Sequence, residues 1–426
     1  MNKSSKKITI GFIGLSHLGL VSSIATSEKG FNVIGHDENL KLIKNLKQGI
    51  IDLKEPNLAK LLIKNKKRIE FTYNYKILNK CDIIYISKDI NTNKKNVSDF
   101  KKINYLVNKV KKYISKKTIL IILSQITPGF TRQIKWPKEQ LFYQVETLIF
   151  GQAIRRSLKP ERIIIGKFND EIKISLKFKK FLNKFKCPII TMNYESAELT
   201  KIAINLFLIS TIVTSNKISE ISSHLGSNYN NIKSALKLDK RIGKFAYLNP
   251  GLGISGGNLE RDLINIIKIS KKLNIDKKLF DSWNENSSFM KEWAYRKLQK
   301  INKKNVIKKI SILGLSYKEN TNSIKNSPSI ALLNKINKYE VYLYDPVVKM
   351  NFHKKNFVTK NSILECINNC DVLIIMTPWQ EFKDYNFKKI LNKMRLNNII
   401  DPYGVINYKS LINKNLNYHS MIESSK

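Results

Sequence analysis

The sequence predicts an α/β chain: two strand–helix modules with a helical block between them. Three observations carry that reading. Short β-branched runs ending in glycine or aspartate alternate with helical stretches at both ends of the chain, the pattern of parallel sheets covered on both faces. From about Ser196 the strand signal stops, and apolar residues recur at helical spacing. The chain has 426 residues, room for two or three domains.

Taken in order, residues 8–14 (ITIGFIG) read as a buried parallel strand. The helix after it starts near His17 and carries Leu18, Leu20, Val21 and Ile24. A second strand over residues 31–35 runs on to Asp37, and residues 82–87 (DIIYIS) and 118–123 (TILIIL) repeat the theme. Residues 197–225, 230–238 and 259–273 read as the helices of the middle block. A Lys/Asn-rich stretch over residues 300–309 suits a surface linker, and strands resume at 310–315, 340–344, 371–377 and 398–401. The expected domains are residues 1–195, 196–300 and 305–426, and the two flanking modules show no evident internal sequence repeat.

Composition narrows the class. With 42% hydrophobic and 26% charged residues, the chain is neither wholly disordered nor a coiled coil. Lys and Arg number 76 against 33 Asp and Glu, a formal charge of +43. The lysines are spread through helices, turns and both ends, without a stripe, an aromatic platform or a nucleic-acid motif. The excess therefore reads as general composition, and no nucleic-acid partner is expected. The cysteines Cys81, Cys187, Cys366 and Cys370 are too few and scattered for a disulfide framework, and no CxxC or Cys/His metal spacing occurs. The polar residues 1–7 lead directly into a strand, so no signal peptide is expected. The longest apolar runs, 119–123 and 206–213, fall short of the ~20 residues a bilayer requires. The expectation is a cytoplasmic protein with no membrane partner.

The first strand delivers Gly14-Leu15-Ser16-His17-Leu18-Gly19. A dinucleotide site needs GxGxxG here, so that the backbone turns tightly and the pyrophosphate meets helix N-terminal amides. Gly14 and Gly19 fit, with Ser16 at the second glycine. Asp37 stands at the end of the next strand, where a carboxylate accepts from ribose hydroxyls and favours NAD over NADP. His17 reads as a solvent-facing loop residue.

Further segments, in order, resemble the UDP-glucose/GDP-mannose dehydrogenase family of nucleotide-sugar 6-dehydrogenases. Residues 54–58 (KEPNL) resemble its YEPGL, 124–131 (SQITPGFT) its STVPPGT, and 160–166 (PERIIIG) its PDRIVIG. Residues 198–205 (ELTKIAIN) are similar to ExxKxxxN, with E-M at the start, and 239–243 (DKRIG) to DxRIG. Residues 314–328 (GLSYKENTNSIKNSP) resemble GLAFKxxTDDxRxSP, while Tyr344-Asp345-Pro346 and 379–382 (WQEF) also fit. The resemblance implies an NAD-binding Rossmann domain, a helical dimerisation core, a Rossmann-like domain for the nucleotide sugar, and a homodimer. It also implies oxidation of a sugar's primary hydroxyl to a carboxylate with two NAD, through a thiohemiacetal and thioester on a cysteine.

The chain departs from that pattern at the nucleophile. Where the family has GFGGSCFPKD, residues 253–262 read GISGGNLERD, which puts Asn258 at the cysteine and Asp262 at the closing aspartate. Residues 144–151 (QVETLIFG) keep the first glutamate of NPEFLREG as Glu146 but replace its Arg and second Glu by Ile149 and Phe150. Gln125 replaces the threonine after Ser124. By resemblance the catalytic set is Glu146, Lys201, Asn205, Asn258 and Asp262, with Lys201 as electrostatic stabiliser and Asp262 as the water or base partner. The cofactor set is Gly14, Ser16, Leu18, Gly19, Asp37, Ser124 and Gln125. The substrate set is Arg241, Tyr247, Gly251, Gly253, Lys318 and Lys325. Lys325 stands for an arginine, and Asn322 and Ser323 for paired aspartates, so sugar contacts are expected to differ. Two readings follow: an NAD-dependent nucleotide-sugar dehydrogenase for polysaccharide biosynthesis with altered chemistry, or an inactive homologue that still binds NAD or the sugar nucleotide.

Overall fold

Strand β1 (Thr9–Ile13) lies inside an eight-stranded sheet, and its last four residues are fully shielded. The sheet continues with β2 (Asn32–His36), β3 (Ile69–Thr72), β4 (Ile83–Ile86), β5 (Ile119–Ile122), β6 (Leu141–Gln144), β7 (Ile163–Lys167) and β8 (Ile189–Asn193), in spatial order 3-2-1-4-5-6-7-8. Every pairing is parallel except β6 with β7. Parallel strands need crossovers, and these are α1 (His17–Glu28), α2 (Leu40–Gln48), α3 (Leu58–Lys64), α4 (Lys101–Val110), α5 (Ala153–Leu158) and α6 (Leu176–Leu182). Side chains alternate across the sheet: Ile10, Phe12, Tyr85 and Ile121 feed one core, and Ile13, Ile84, Ile86 and Ile122 the other. Both faces are covered, which is why these strands read as continuous apolar runs rather than alternating ones.

The structure is a computed structural model that describes residues 7–90, 92–93, 98–350, 352, 355–389, 391–411 and 416–422. The chain divides into two compact units, residues 1–204 and 205–426. Helix α7 (Tyr194–His224) begins in the first and is followed by α8 (Tyr229–Leu238), α9 (Asn258–Lys272), α10 (Lys278–Lys291) and α11 (Trp293–Asn302). A six-stranded parallel sheet then forms from β9 (Lys309–Leu313), β10 (Glu340–Tyr344), β11 (Phe357–Thr359), β12 (Val372–Ile375), β13 (Asn398–Ile400) and β14 (Asn417–His419), in order 11-10-9-12-13-14. Helix α12 (Pro328–Lys335) opens with proline in its first turn, and Ser327 accepts from the Ser329 amide at its cap, the arrangement proline favours. Residues of α10 and α11 (Met290, Ala294, Leu298, Ile301) pack into the core on one face of this second sheet.

The strands expected from β-branched runs are all present. Those missed are β3, β6, β7, β8, β11 and β14, several of them at or near sheet edges, where shorter and more polar segments suffice. The second sheet repeats the 3-2-1-4-5-6 order of the first, a repeat the sequence does not display. Two readings are corrected. The linker begins after α11, so residues 300–302 are helical. And α7 spans 31 residues, with an 18-residue window of mean hydropathy 1.5. It is, among the described residues, the one helix long and apolar enough to cross a membrane by length and composition; continuous apolar runs understate it because small polar residues interrupt them.

Candidate active site

In the first unit the chain leaves β1 through Gly14, whose φ of 89° and whose closeness to Lys88 exclude a side chain: a Cβ there would lie 2.6 Å from Lys88 Cβ. A Cβ on Gly19 would fall 1.9 Å from the Gly14 carbonyl oxygen, so the last glycine is required for α1 to start this close to the strand. Asp37, buried at the end of β2, accepts from the Leu15 amide at 2.8 Å and the Asn39 amide at 3.0 Å. Gly14, Ser16, Leu18, Gly19 and Asp37 therefore lie around one turn. The tight turn and the carboxylate at the strand end fit a dinucleotide, with Asp37 toward the ribose and α1 amides toward the pyrophosphate.

Two residues that the sequence reading passed over share this place. Lys88 Nζ lies 3.2 Å from Asp37 Oδ2, and Asp89 Oδ2 accepts from the Leu18 amide at 3.2 Å. Ser16, the residue at the middle glycine, accepts the Asp89 amide at 2.9 Å. Ser124 donates its hydroxyl to the Lys88 carbonyl at 2.7 Å, so its contact with the cofactor region runs through Lys88. The available signal was positional: both residues directly follow a strand, and ligands of open α/β sheets bind at strand carboxyl ends.

His17 is not solvent-facing. Its ring stacks on Phe150 with centroids 3.9 Å apart, and Nε2 lies 3.3 Å from Glu55 Oε2. Glu55 also accepts the Gly151 and Ala153 amides at 3.0 and 2.7 Å. Burial pushes the Glu55 carboxyl up, but the His17 hydrogen bond and the two amides hold it below the usual carboxylate range. Phe150 thus serves as a packing partner where the family pattern has a glutamate.

Gln125, Glu146 and Lys201 form a second polar group in the same unit. Gln125 donates to Glu146 Oε2 at 2.8 Å, Lys201 Nζ stands 3.6 Å from that oxygen, and the Leu148 amide binds Glu146 Oε1. Glu146 and Lys201 are both buried. A buried carboxylate and ammonium hold one another in place because each would be costly alone.

In the second unit, Asn205 donates to Asp262 Oδ2, and Arg261 Nε lies 3.2 Å from Asp262 Oδ1. Asp262 is therefore a buried, oriented carboxylate inside α9 rather than a cap. Arg261, also buried, was not singled out from the sequence; its Nη2 has no hydrogen-bond partner among the described residues. Asn258 is the first residue of α9 and is exposed. Lys325 approaches the same turn, its Nζ 3.4 Å from where a Gly257 Cβ would stand. Burial, then the Arg261 charge, pulls the Lys325 ammonium below its ordinary value, with Glu260 opposing.

The remaining substrate candidates are placed less tightly. Gly253, at φ 75°, passes so close to Ser287 that a Cβ would meet its carbonyl oxygen at 2.4 Å, and the Gly251 amide donates to Asn216 at 2.8 Å. Tyr247 has an exposed side chain. Lys318 holds its ammonium 5.8 Å from the Tyr317 ring. Arg241 is exposed and engages Asp239 at 2.6 Å. In the second unit's own glycine turn, Asp345 accepts the Leu315, Ser316, Val347 and Val348 amides and the Trp379 indole.

A glycine turn and strand-end carboxylate in one unit, with a second parallel sheet of the same order in the other, define the frame of a nicotinamide-dependent dehydrogenase. Comparison with known proteins specifies it. The UDP-glucose/GDP-mannose dehydrogenase family matches through its NAD binding domain at residues 8–182, its central domain at 195–287 and its UDP binding domain at 311–408. The UDP-glucose 6-dehydrogenase of Rickettsia prowazekii is 27% identical over 97% of this chain and 99% of its own length. UDP-glucose 6-dehydrogenase TuaD of Bacillus subtilis is 26% identical over 98% and 93%. Among solved structures, a UDP-D-ManNAc dehydrogenase from Pyrococcus horikoshii superposes with a TM-score of 0.86 at 22% identity, covering 98% of this chain and all of that one. The chain belongs to the UDP-glucose/GDP-mannose dehydrogenase family and is an NAD-dependent nucleotide-sugar dehydrogenase.

Proposed function

We propose that this chain oxidises the primary hydroxyl of a nucleotide-diphosphate sugar by one hydride transfer to NAD and releases the aldehyde or its hydrate. The carrying observation is Asn258 as first residue of α9, where the family pattern has its cysteine. The four cysteines offer no substitute. Cys81, Cys366 and Cys370 are buried inside the sheets' cores. Burial pushes the thiols of Cys81 and Cys370 up to about 12 and that of Cys366 higher. Cys187, partly buried beside β8, is raised by burial as well. None is a ready thiolate, and covalent capture of an aldehyde needs one.

When bound, NAD supplies the hydride acceptor. The hydroxyl proton leaves to solvent, so R–CH2OH and NAD+ give R–CHO, NADH and H+. Lys201, steadied by Glu146, is assigned to the developing alkoxide, and Asp262, steadied by Asn205 and Arg261, to the proton or to water. Nucleotide-sugar contacts are assigned to Arg241, Lys318, Lys325 and the 247–253 loop.

We also propose three functional segments, 1–195, 196–300 and 305–426, and a homodimer formed through the apolar face of α7. Phe207 is 76% and Ile221 57% exposed there, while the same helix buries Glu198, Lys201, Asn205 and Asn216. Apolar surface of this kind marks an association face. Unpaired cysteines agree with a reducing, cytoplasmic setting, and an aldehyde-sugar product suits polysaccharide biosynthesis.

The test is stoichiometry. The chain is incubated with NAD+ and a panel of UDP- and GDP-sugars, with hydroxylamine present to trap aldehyde. One NADH per sugar and an oxime are expected, and Asn258→Cys should raise NADH toward two per sugar with less oxime. Two NADH per sugar in the unaltered chain would overturn the proposal. Binding without any NADH would make the chain an inactive binding homologue.

A further inference from the structure

We propose that Lys88 sets coenzyme selectivity in this chain: by standing on Asp37 it opens the ribose end of the coenzyme site to a 2′-phosphate, so that NADP is accepted alongside NAD. The proposal rests on NAD binding by the first unit and deepens it.

A carboxylate at the end of the second strand discriminates in two ways. It accepts hydrogen bonds from ribose hydroxyls, and its charge repels a phosphate at the 2′ position. The second effect requires that the charge be left uncompensated. Here Lys88 Nζ lies 3.2 Å from Asp37 Oδ2, the oxygen that also accepts the Leu15 amide. Burial pushes the Asp37 carboxyl up, but the Lys88 charge and the Asn39 and Leu15 amides hold it below the usual carboxylate range. An ammonium and a carboxylate therefore face the ligand as a pair.

The residues beside Asp37 on its own strand end do not restore the negative field, and Asp89 directs its carboxylate to the Leu18 amide, on the pyrophosphate side of the turn. Glu38, next along the chain, accepts from Tyr75 Oη at 2.9 Å and pairs with the Lys102 ammonium. His36, on the other side, is fully buried, and that burial draws its imidazole below the ordinary value, leaving it neutral at pH 7. Both carboxylates at this strand end are thus matched by a lysine.

Lys88 is also held where it would act. Its carbonyl accepts the Ser124 hydroxyl at 2.7 Å, and its Cβ packs on Gly14. With its backbone fixed, the side chain reaches Asp37 yet keeps 29% of its surface exposed. A lysine binds phosphate as a point charge and needs no fixed fork geometry, so it can turn from Asp37 toward a 2′-phosphate a few ångströms away.

Calorimetric titration of the full chain with NAD+ and with NADP+ tests this, beside the variant Lys88→Met, which keeps the packing on Gly14 and removes the charge. The unaltered chain is expected to bind NADP+ within about tenfold of NAD+. Lys88→Met should shift the ratio toward NAD+ by about tenfold or more, chiefly by weakening NADP+. Discrimination against NADP+ by more than about a hundredfold in the unaltered chain, or a ratio that Lys88→Met leaves unmoved, would overturn the proposal while leaving NAD binding intact. Failure to bind either dinucleotide would instead overturn the coenzyme site and the proposal with it.

Discussion

Each sheet begins with a strand that ends in glycine at positive φ, Gly14 at 89° and Gly314 at 96°. In each, the following residue, Leu15 or Leu315, donates its amide to an aspartate at the end of the neighbouring strand. The turns differ in what else the aspartate holds. Asp345 is saturated by four backbone amides and the Trp379 indole, and is 2% exposed. Asp37 holds two amides and a lysine, and that lysine can leave, because its side chain has four rotatable bonds and partial exposure. One carboxylate is committed to the loop around it, while the other can exchange a partner for a ligand. On the coenzyme proposal above, the same local motif is a structural joint in one unit and a binding group in the other, and the donor arriving after the fourth strand in space, indole or ammonium, makes the difference.

The strongest way to break this comparison is to remove each aspartate. Asp345→Ala orphans five donors, and at about 1–3 kcal/mol for a buried unsatisfied group with partial relaxation, a loss of at least about 4 kcal/mol in denaturant unfolding of the second unit is expected. Asp37→Ala should cost only about 1–2 kcal/mol, since Lys88 regains water, but weaken NAD+ about tenfold or more in the same calorimetric assay. Equal stability losses would show that the two joints are equivalent.

A smaller effect separates the units by pH. Burial, with Lys297, Lys300 and Lys304 adding to it, lowers His419 to about 4, against about 6.5 in an unfolded chain. Between those values the unfolded state binds the extra proton, so stability is present above about pH 6.5 and lost as pH falls toward about 4. Roughly 1–2 kcal/mol is at stake after allowing for partial exposure. His419→Gln should flatten the dependence of the unfolding midpoint on pH over that window; an unchanged slope would assign it elsewhere. Smaller again, Asp89→Asn removes a like charge from the Leu18 amide, where a pyrophosphate oxygen would bind. NAD+ should then bind about three- to tenfold more tightly, and no change would mean that Asp89 already stands clear of the ligand. Ser16→Gly is expected to move affinity least, about two- to threefold, because Ser16 contributes one hydrogen bond to the Asp89 amide.

Much of this frame was legible in the residues. Runs such as ILII over β5, buried on both faces, signal a central parallel strand because nothing polar interrupts them. Gly14, Gly19 and Asp37 were legible because their spacing is local chemistry. The site's second layer was not. His17 looked like a loop residue because its partners, Phe150 and Glu55, are brought to it from elsewhere in the chain. Lys88 was one lysine among many until Asp37, 51 residues away in sequence, was seen beneath it.

The sequence alone settled where β1, β2, β4, β5, β9, β10, β12 and β13 lie, where the glycine turn sits, and that no cysteine occupies position 258. Those properties depend on backbone dihedrals, side-chain periodicity and residue identity, which operate within a few positions. Only the tertiary structure decided which charges are paired and which carboxylates are committed: Lys88 with Asp37, Lys201 with Glu146, Asn205 and Arg261 with Asp262, and five donors on Asp345. Coulombic and hydrogen-bond energies fall away over a few ångströms, and separation along the chain carries no information about such distances until the sheet is assembled.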